Sequence, residues 1–222
     1  MLGSEMADTD HGDRELDRLI FFSDAVFAIV MTLLVLEIRV PEVPPPLAAA
    51  EVPAKVLALG PKFFSYVLSF LVIGTYWIAH HQTFRYVESY DRTLLWLNLM
   101  FLLSISFIPF PTGLLGGYGQ LRFAVIFYAA SVGLARLLLA LEWVYITNGP
   151  IRTTDDLDQR LSRFHLLRSL AIPAVFAVSI GIAFLSVPLA ITSWVLMFLA
   201  DALAWRLQRQ RLRSSAQGPD RR

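Results

Sequence analysis

Residues 18–40 read RLIFFSDAVFAIVMTLLVLEIRV, a stretch that is long and apolar enough to cross a bilayer as a helix. Ser23 and Asp24 lie near its start, and Glu37 and Arg39 lie near its end. A charged side chain at membrane depth costs several kcal/mol unless it faces protein or water. Because a simple membrane anchor does not require an aspartate at this depth, the stretch predicts a helix that does more than anchor the chain.

The composition of the whole chain supports a membrane protein. Of its 222 residues, 56% are hydrophobic and 17% are charged, and the mean hydropathy is +0.57. Soluble domains carry about a quarter charged residues. A net charge of +1 gives no indication of a nucleic-acid partner, and the absence of cysteine excludes disulfides, thiolate metal sites and a cysteine nucleophile. We therefore expect an all-α integral membrane protein.

Six apolar stretches are long enough, or nearly so, to be membrane spans. They are residues 19–40, 56–84, 93–111, 121–146, 164–187 and 188–205. The proline-rich segment 41–53 is predicted as a linker, and FIPFPTGLLGGYG at 107–119 is predicted to end the third span in a loop. The predicted organisation is a polar N-terminal tail at 1–17, a six-helix transmembrane domain at 18–206 and a basic C-terminal tail at 207–222.

The distribution of basic residues predicts the orientation. With six spans, both termini lie on one side, together with 14 of the 19 lysines and arginines; four lie on the other side, and Arg136 lies within a span. Lysine and arginine favour the cytoplasmic side of a membrane. The sequence therefore predicts a multi-pass protein of the cell membrane with both termini in the cytoplasm.

The first span has two distinct faces when it is read as a helix. Each residue advances about 100°, so Leu33 and Leu36 lie within about 40° of the direction of Ile29. Thr32 lies on the flank of this stripe, about 60° away, and Asp24 lies on the roughly opposite side. The stripe by itself is compatible with a lipid-facing surface, with a helix contact or with a pore wall.

The carboxylate on the opposite face should have a partner within the protein. Arg18, His80, His81 and Asn98 are the candidates in the sequence. His80 and His81 point about 100° apart on a helix and cannot both face one partner. An interpretation of Asp24 as a structural clamp near the membrane interface remains open.

The stretch RLIFFSD fits the pattern Arg-x-x-x-Phe-Ser-Asp, with Arg18, Phe22, Ser23 and Asp24 at the defined positions. Together with the apolar helix that follows, it resembles the bacterial members of the TMEM175 potassium channel family. The segment YWIAHHQTFRYV at 76–87 is also similar to the second helix of that family. The resemblance covers residues 18–205, and the motif in its helical context is its specific part.

The resemblance implies a homotetramer of six-span subunits that conducts potassium ions passively through a central pore in the lipid bilayer, without a cofactor or a resident metal. It implies that the first helix lines this pore and that Ile29, Leu33 and Leu36 form an apolar constriction. Thr32 would influence ion preference beside the constriction. The four motif residues would fasten the helices behind the pore, with His80, His81 or Asn98 as possible partners.

Other charged residues allow more than one interpretation. Glu37 is expected near the outer mouth, where it would attract cations, but a pair with Arg39 is an alternative. Arg136 and Glu142 lie six residues apart and do not share a helix face, which favours interhelical contacts over a proton relay. Asp201 is expected to pair with Arg206 or another neighbour.

Two other classes of function fit the sequence less well than a channel. A proton-coupled secondary transporter would use Asp24, Glu37 or Glu142, although no internal repeat or helix broken at mid-membrane, features common in such transporters, is evident. A membrane-bound enzyme is not expected, because the chain has neither a Gly-x-Ser-x-Gly element nor a His-x-x-x-His zinc motif.

Overall fold

The computed structural model describes residues 2–151, 153 and 159–194, which form eight α-helices. The all-α architecture predicted from the composition is confirmed. The helices are α1 Leu2–Leu33, α2 Ala48–Leu57, α3 Gly60–Phe84, α4 Arg92–Phe107, α5 Pro109–Tyr118, α6 Arg122–Asn148, α7 Gln159–Leu185 and α8 Val187–Ser193.

Four segments of the described chain are long and apolar enough to cross a membrane. They are Glu15–Glu37, Gly60–Phe84, Arg92–Tyr118 and Arg122–Asn148, and Ser169–Leu185 within α7 is a shorter apolar helix. The predicted sixth span is described as far as Trp194. Its remaining residues, the predicted Asp201–Arg206 contact and the tail at 207–222 lie outside the described residues.

The loop predicted at 107–119 is wrong, because this segment forms α5 and extends the third span to Tyr118. Pro109 occupies the first turn of α5, where a missing backbone N–H removes no helical hydrogen bond. Ile108 keeps helical dihedral angles between the two helices, so α4 continues into α5 with little interruption. Prolines and glycines that are typical of loops in water are accommodated here inside a membrane helix.

The connection between the first two spans also differs from the prediction. A 3-10 turn, Leu34–Glu37, follows α1, and the linker then contains the short helix α2. The second span begins at Gly60 rather than at residue 56, because Ala58 and Leu59 separate α2 from α3. At the other end of α1, the helix begins at Leu2, so the segment expected to be a separate tail continues the first helix.

The boundary predicted near residues 186–189 lies at Ser186, which has an extended backbone between α7 and α8. Pro188 follows in the first turn of α8. Trp194, at the end of the described chain, donates a hydrogen bond from Nε1 to the Ser179 hydroxyl of α7 at 2.9 Å. This bond fastens the two helices to each other across the turn.

Helix α6 lies at the centre of the bundle and contacts α3, α4, α5, α7 and α8. The apolar core around it contains buried polar side chains that satisfy one another. Ser69 hydrogen-bonds Thr112 at 2.7 Å and Tyr128 at 3.0 Å, and the Tyr76 hydroxyl donates to the Val132 carbonyl at 2.9 Å. Because unpaired polar groups are costly in an apolar interior, these bonds specify how α3, α5 and α6 pack.

A second, smaller cluster closes the end of the bundle where α3 turns into α4. It contains Phe84, Val87, Leu94, Ile146 and Ile151. Val87 in the α3–α4 loop pairs through its backbone with Thr153, which follows α6. The cluster therefore joins both connections at this end of the bundle.

Asp91 caps the N-terminus of α4 beside this cluster. Its carboxylate accepts a hydrogen bond from the Leu94 backbone N–H at 2.8 Å and another from the Tyr145 hydroxyl of α6. Partial burial acts to raise the pKa of Asp91, but the bonds from Tyr145 and the backbone outweigh it, and the pKa lies below its ordinary value. The ionised carboxylate thus stabilises the folded state.

We predict that Asp91→Asn lowers thermal stability at neutral pH and that the difference from wild type disappears on acidification. A lowered folded-state pKa contributes stability above the unfolded value of about 4, and this contribution is lost as the pH falls through the folded value. Asparagine remains a good N-cap, so the substitution tests the charge. Unfolding in detergent, followed by tryptophan fluorescence from pH 7 to pH 3.5, measures the difference; the exposed Glu88→Gln is the control. A difference that does not change with pH would contradict the prediction.

Two glycines of α5 should respond oppositely to replacement by alanine. A Cβ atom at Gly116 would lie 2.6 Å from the Ser65 hydroxyl and 3.1 Å from the Lys62 Cα of α3, whereas one at Gly117 would meet no atom within 4 Å. We expect Gly116→Ala to lower the apparent melting temperature by several degrees, because overpacking costs about 1–3 kcal/mol. Gly117→Ala should leave it unchanged or raise it, since alanine is the better helix former by about 1 kcal/mol. Equal melting temperatures would show that α3 and α5 are not in close contact.

Candidate functional site

The two faces of α1 differ sharply in exposure within a single chain. Phe27 and Val30 are buried against α3 and α4, and Leu34 in the following turn, which packs on α3 and α5, is also buried. The predicted constriction residues Ile29, Leu33 and Leu36 are 57%, 44% and 66% exposed. The described subunit therefore presents an uncovered apolar stripe along α1.

Thr32 lies beside this stripe and is exposed. Its hydroxyl donates a hydrogen bond to the Ile29 carbonyl of the preceding turn at 2.7 Å. The proton of the hydroxyl is used within α1, and the oxygen lone pairs remain available on the exposed side.

Ser23 lies on the opposite face and is completely buried. Its hydroxyl donates to the Leu19 carbonyl at 3.0 Å and accepts a bond from Asn98 Nδ2 of α4, also at 3.0 Å. Asn98 Oδ1 in turn lies 3.0 Å from His80 Nε2 of α3. Because this amide oxygen can only accept, the histidine carries its proton on Nε2. A continuous chain of hydrogen bonds thus joins α1, α4 and α3.

Aromatic rings hold His80 in this position. Its ring centroid lies 4.4 Å from that of Phe84, 5.5 Å from that of Phe101 and 5.8 Å from that of Phe27. The apolar surroundings exclude water from the bonds between Ser23 and His80. The bonds are consequently stronger than they would be in water, and losing one would be correspondingly costly.

Asp24 has a hydrogen-bond partner that was not among the four candidates in the sequence. Trp77 of α3 donates from Nε1 to Asp24 Oδ1 at 2.8 Å, and His81 stacks on the Trp77 ring with centroids 6.0 Å apart. The structure shows no ion pair between Arg18 and Asp24, both of which are described, and Arg18 is exposed. Trp77 lies one helical turn before His81, on the same face of α3. Its indole N–H, a hydrogen-bond donor, was the only feature of the sequence that could have indicated this partner for Asp24.

Phe22, the remaining motif residue, is 53% exposed. Exposed Arg18 and Phe22 therefore differ from Ser23 and Asp24, which contact α3 and α4 within the same chain. Only the latter two have hydrogen-bond partners on other helices among the described residues.

Glu37 ends the 3-10 turn that follows α1, and its side chain lies over Gly113 of α5. No ion pair joins it to Arg39 in the described structure, so the pairing considered as an alternative is not formed. Glu37 is exposed and remains accessible to cations from solution.

Arg136 and Glu142 are the buried charged residues of α6. The Arg136 guanidinium lies over the Tyr76 ring at 5.6 Å from the centroid, which is an interhelical contact between α6 and α3. Glu142 is completely buried and has no hydrogen-bond partner in the described structure. No ion pair links the two residues within the described chain.

Comparison with known proteins now identifies the family. Residues 18–109 match the family described as the endosomal/lysosomal potassium channel TMEM175. A protein of Streptomyces collinus, named a potassium channel, is 35% identical over 83% of this chain and 90% of its own. The chain belongs to the TMEM175 family.

Further relatives agree with this assignment. A protein of a Chryseobacterium species, also named a potassium channel, is 29% identical over 89% of this chain and 96% of its own. The crystal structure of a TMEM175 homologue from Chamaesiphon minutus, described as a lysosomal potassium-selective channel, superposes with a TM-score of 0.76 and 28% identity over 86% of this chain and 98% of that chain.

Membership of the TMEM175 family confirms the resemblance seen in the sequence. The family consists of ion channels, which also agrees with the expectation that this chain is not an enzyme. The matched segment, 18–109, contains α3, α4 and the part of α1 from residue 18 onward, which contribute every residue of the chain of hydrogen bonds from Ser23 to His80.

We predict that Asn98→Ala destabilises this TMEM175 protein by about 2–3 kcal/mol, because it leaves the His80 N–H without a buried partner and removes the donor to Ser23. The yield of monodisperse protein and its melting temperature in detergent measure the effect. Asn148→Ala, at an exposed site at the end of α6, is the control. Equal loss in both variants would refute a special role for the buried amide.

Proposed function

We propose that this protein is a potassium-preferring channel of the cell membrane that conducts ions passively as a homotetramer. Its place in the TMEM175 family supports this function, as do relatives named potassium channels that align over nearly their whole length. The strongest support is the superposition of this chain on a potassium-selective channel with a TM-score of 0.76. The partners are other copies of the chain, potassium ions and the lipid bilayer.

Six spans with cytoplasmic termini complete the proposed topology. Four membrane-length segments, the apolar part of α7 and the start of the predicted sixth span are consistent with it. The concentration of lysine and arginine on one side supports the orientation. The proposed domain limits remain 1–17, 18–206 and 207–222. The first segment, from Leu2 onward, forms the beginning of α1.

The proposed pore wall is the exposed stripe of α1. Each chain contributes one such helix, and the sequence contains one Phe-Ser-Asp motif, so a central pore requires several copies. In a ring, Ile29, Leu33 and Leu36 would face the symmetry axis while Phe27 and Val30 remain in the core of each subunit. The same exposure would also suit lipid contact, and family membership favours the pore.

An apolar constriction offers no oxygen ligands to an ion. It blocks conduction by dewetting when it is narrow, and when it is wider it requires an ion to lose part of its water. Potassium holds water less tightly than sodium and therefore loses it at a smaller cost. We expect the resulting preference for potassium to be modest, with Thr32 contributing hydroxyl oxygens beside the apolar ring.

The motif residues act behind this wall in the proposed mechanism. Ser23 and Asp24 fasten α1 to α3 and α4 through Asn98, His80 and Trp77. The fastening role of Arg18 and Phe22, which are exposed in the single chain, and of His81 remains a prediction.

Family membership favours a channel over the proton-coupled transporter. The three carboxylates that a proton-coupled transporter could use also have different surroundings. Asp24 accepts a hydrogen bond from Trp77, the Glu37 side chain lies over Gly113 of α5, and Glu142 is buried in the bundle. A transporter would show saturable flux coupled to a proton gradient, whereas the proposed channel would not.

We predict that Ile29→Asn changes the ratio of potassium to sodium permeability severalfold, because an amide in the constriction offers ligands that replace lost water. Currents across planar bilayers containing the purified protein, under opposed potassium and sodium gradients, measure the ratio. Leu103→Asn, at a site on α4 that is 61% exposed, is the control outside the proposed pore. Unchanged selectivity in the Ile29 variant would remove this residue from the constriction, and proton-coupled saturable flux in wild type would refute the channel.

A further inference from the structure

Gly113 of α5 is a helical glycine whose absent side chain is replaced by a carboxylate from another part of the chain. A Cβ atom built at Gly113 would lie 2.8 Å from Glu37 Cδ and 3.5 Å from Glu37 Cγ, and closer still to Oε2. Carbon atoms that are not bonded do not approach to 2.8 Å, so the carboxylate occupies the space that any larger residue would need.

The backbone does not require glycine at this position. Gly113 lies within α5, and no glycine of the described chain has a positive φ. A glycine inside a helix is less favourable than alanine by about 1 kcal/mol. The contact with Glu37 therefore provides a physical reason for Gly113 that backbone conformation does not.

The contact also determines where the Glu37 charge lies. Glu37 is the last residue of the 3-10 turn, and this turn packs on both α3 and α5. Leu36, the preceding residue, ends the exposed apolar stripe. The carboxylate therefore lies on the protein surface beside the end of the stripe, in the space that Gly113 leaves open.

We infer that Gly113 is a positioning residue, which acts by leaving the space that the Glu37 carboxylate occupies at the outer mouth, where the carboxylate concentrates cations. This inference rests on the proposed function. A unit charge about 10 Å away changes the energy of a cation by about 0.4 kcal/mol in water, and four symmetry-related charges add. The effect is screened by salt, since the Debye length falls from about 30 Å at 0.01 M to about 3 Å at 1 M.

The geometry predicts that Gly113→Ala moves the carboxylate and leaves the fold intact. The atoms closest to the added methyl group belong to the far end of a flexible side chain, which can rotate away, in contrast to the backbone atom beside Gly116. Once displaced, the charge would leave the surface of α5 and be more fully surrounded by water, which screens it more strongly. Gly117→Ala, on the same helix with no atom within 4 Å, is the matched control.

Carboxylate footprinting tests the contact without any ion current. The intact protein in detergent is treated with a carbodiimide and glycine ethyl ester, and the modification of Glu37 is quantified by mass spectrometry relative to the exposed Glu42. We expect about twofold greater modification of Glu37 in Gly113→Ala and no change in Gly117→Ala. Equal modification in wild type and Gly113→Ala would overturn the inference.

Conductance in planar bilayers tests the consequence. At 0.01 M potassium we expect Glu37→Gln to reduce conductance about threefold and Gly113→Ala to reduce it about twofold, whereas at 1 M both should resemble wild type because the charge is screened. Adding Gly113→Ala to Glu37→Gln should cause no further change, since the charge that it displaces is already absent.

The outcomes separate the two claims. A loss in Gly113→Ala that is equal at both salt concentrations, or that persists in the Glu37→Gln background, indicates a purely structural effect and overturns the positioning role. Wild-type protein that is folded but passes no potassium current refutes the proposed function and with it the consequence for conductance. Footprinting would still decide whether Gly113 holds the carboxylate.

Discussion

The structure depends on one constraint: polar groups carried into a membrane by a helix must find partners within the protein. In α1 these groups are the Ser23 hydroxyl and the Asp24 carboxylate. Their partners, Asn98 and Trp77, lie on two different helices. Because both groups project from the half of α1 that lies away from Ile29, satisfying them determines which half of the helix faces the bundle, and the apolar stripe is left outside.

This arrangement separates the rigid part of α1 from the part that would contact ions. His80, enclosed by aromatic rings, anchors the far end of the hydrogen-bond chain, so the rotation of α1 is set by buried contacts of its own subunit. The exposed side chains of Ile29 and Leu33 take no part in these buried contacts. A pore wall built in this way could change in sequence, and thus in width, without loss of the fold.

Much of α1 and its environment could be predicted from the sequence, and the exceptions have physical causes. Helical periodicity separated Asp24 from the stripe at Ile29, and both lie on different sides in the structure. Trp77 was missed because a tryptophan near a membrane interface usually contacts lipid headgroups, and no local pattern distinguishes it from one that donates to a carboxylate on another helix. The roles proposed for the stripe and for Glu37 require neighbouring copies of the chain, whose arrangement a single sequence does not reveal.

The error at 107–119 shows how rules derived in water change inside a bundle. Glycines and prolines terminate helices in water partly because the exposed backbone can bond to solvent, an option that is absent at membrane depth. In α5 the glycines instead mark where neighbours approach: Gly116 meets the backbone of α3, and Gly113 meets the end of the first span through Glu37. Gly117 has no neighbouring atom within 4 Å. What fits α5 between two spans is therefore the spacing of the contacts at Gly113 and Gly116, about one helical turn, and not the number of glycines. The segment that resembles a loop is therefore the part of the third span that adjoins both the second span and the end of the first span.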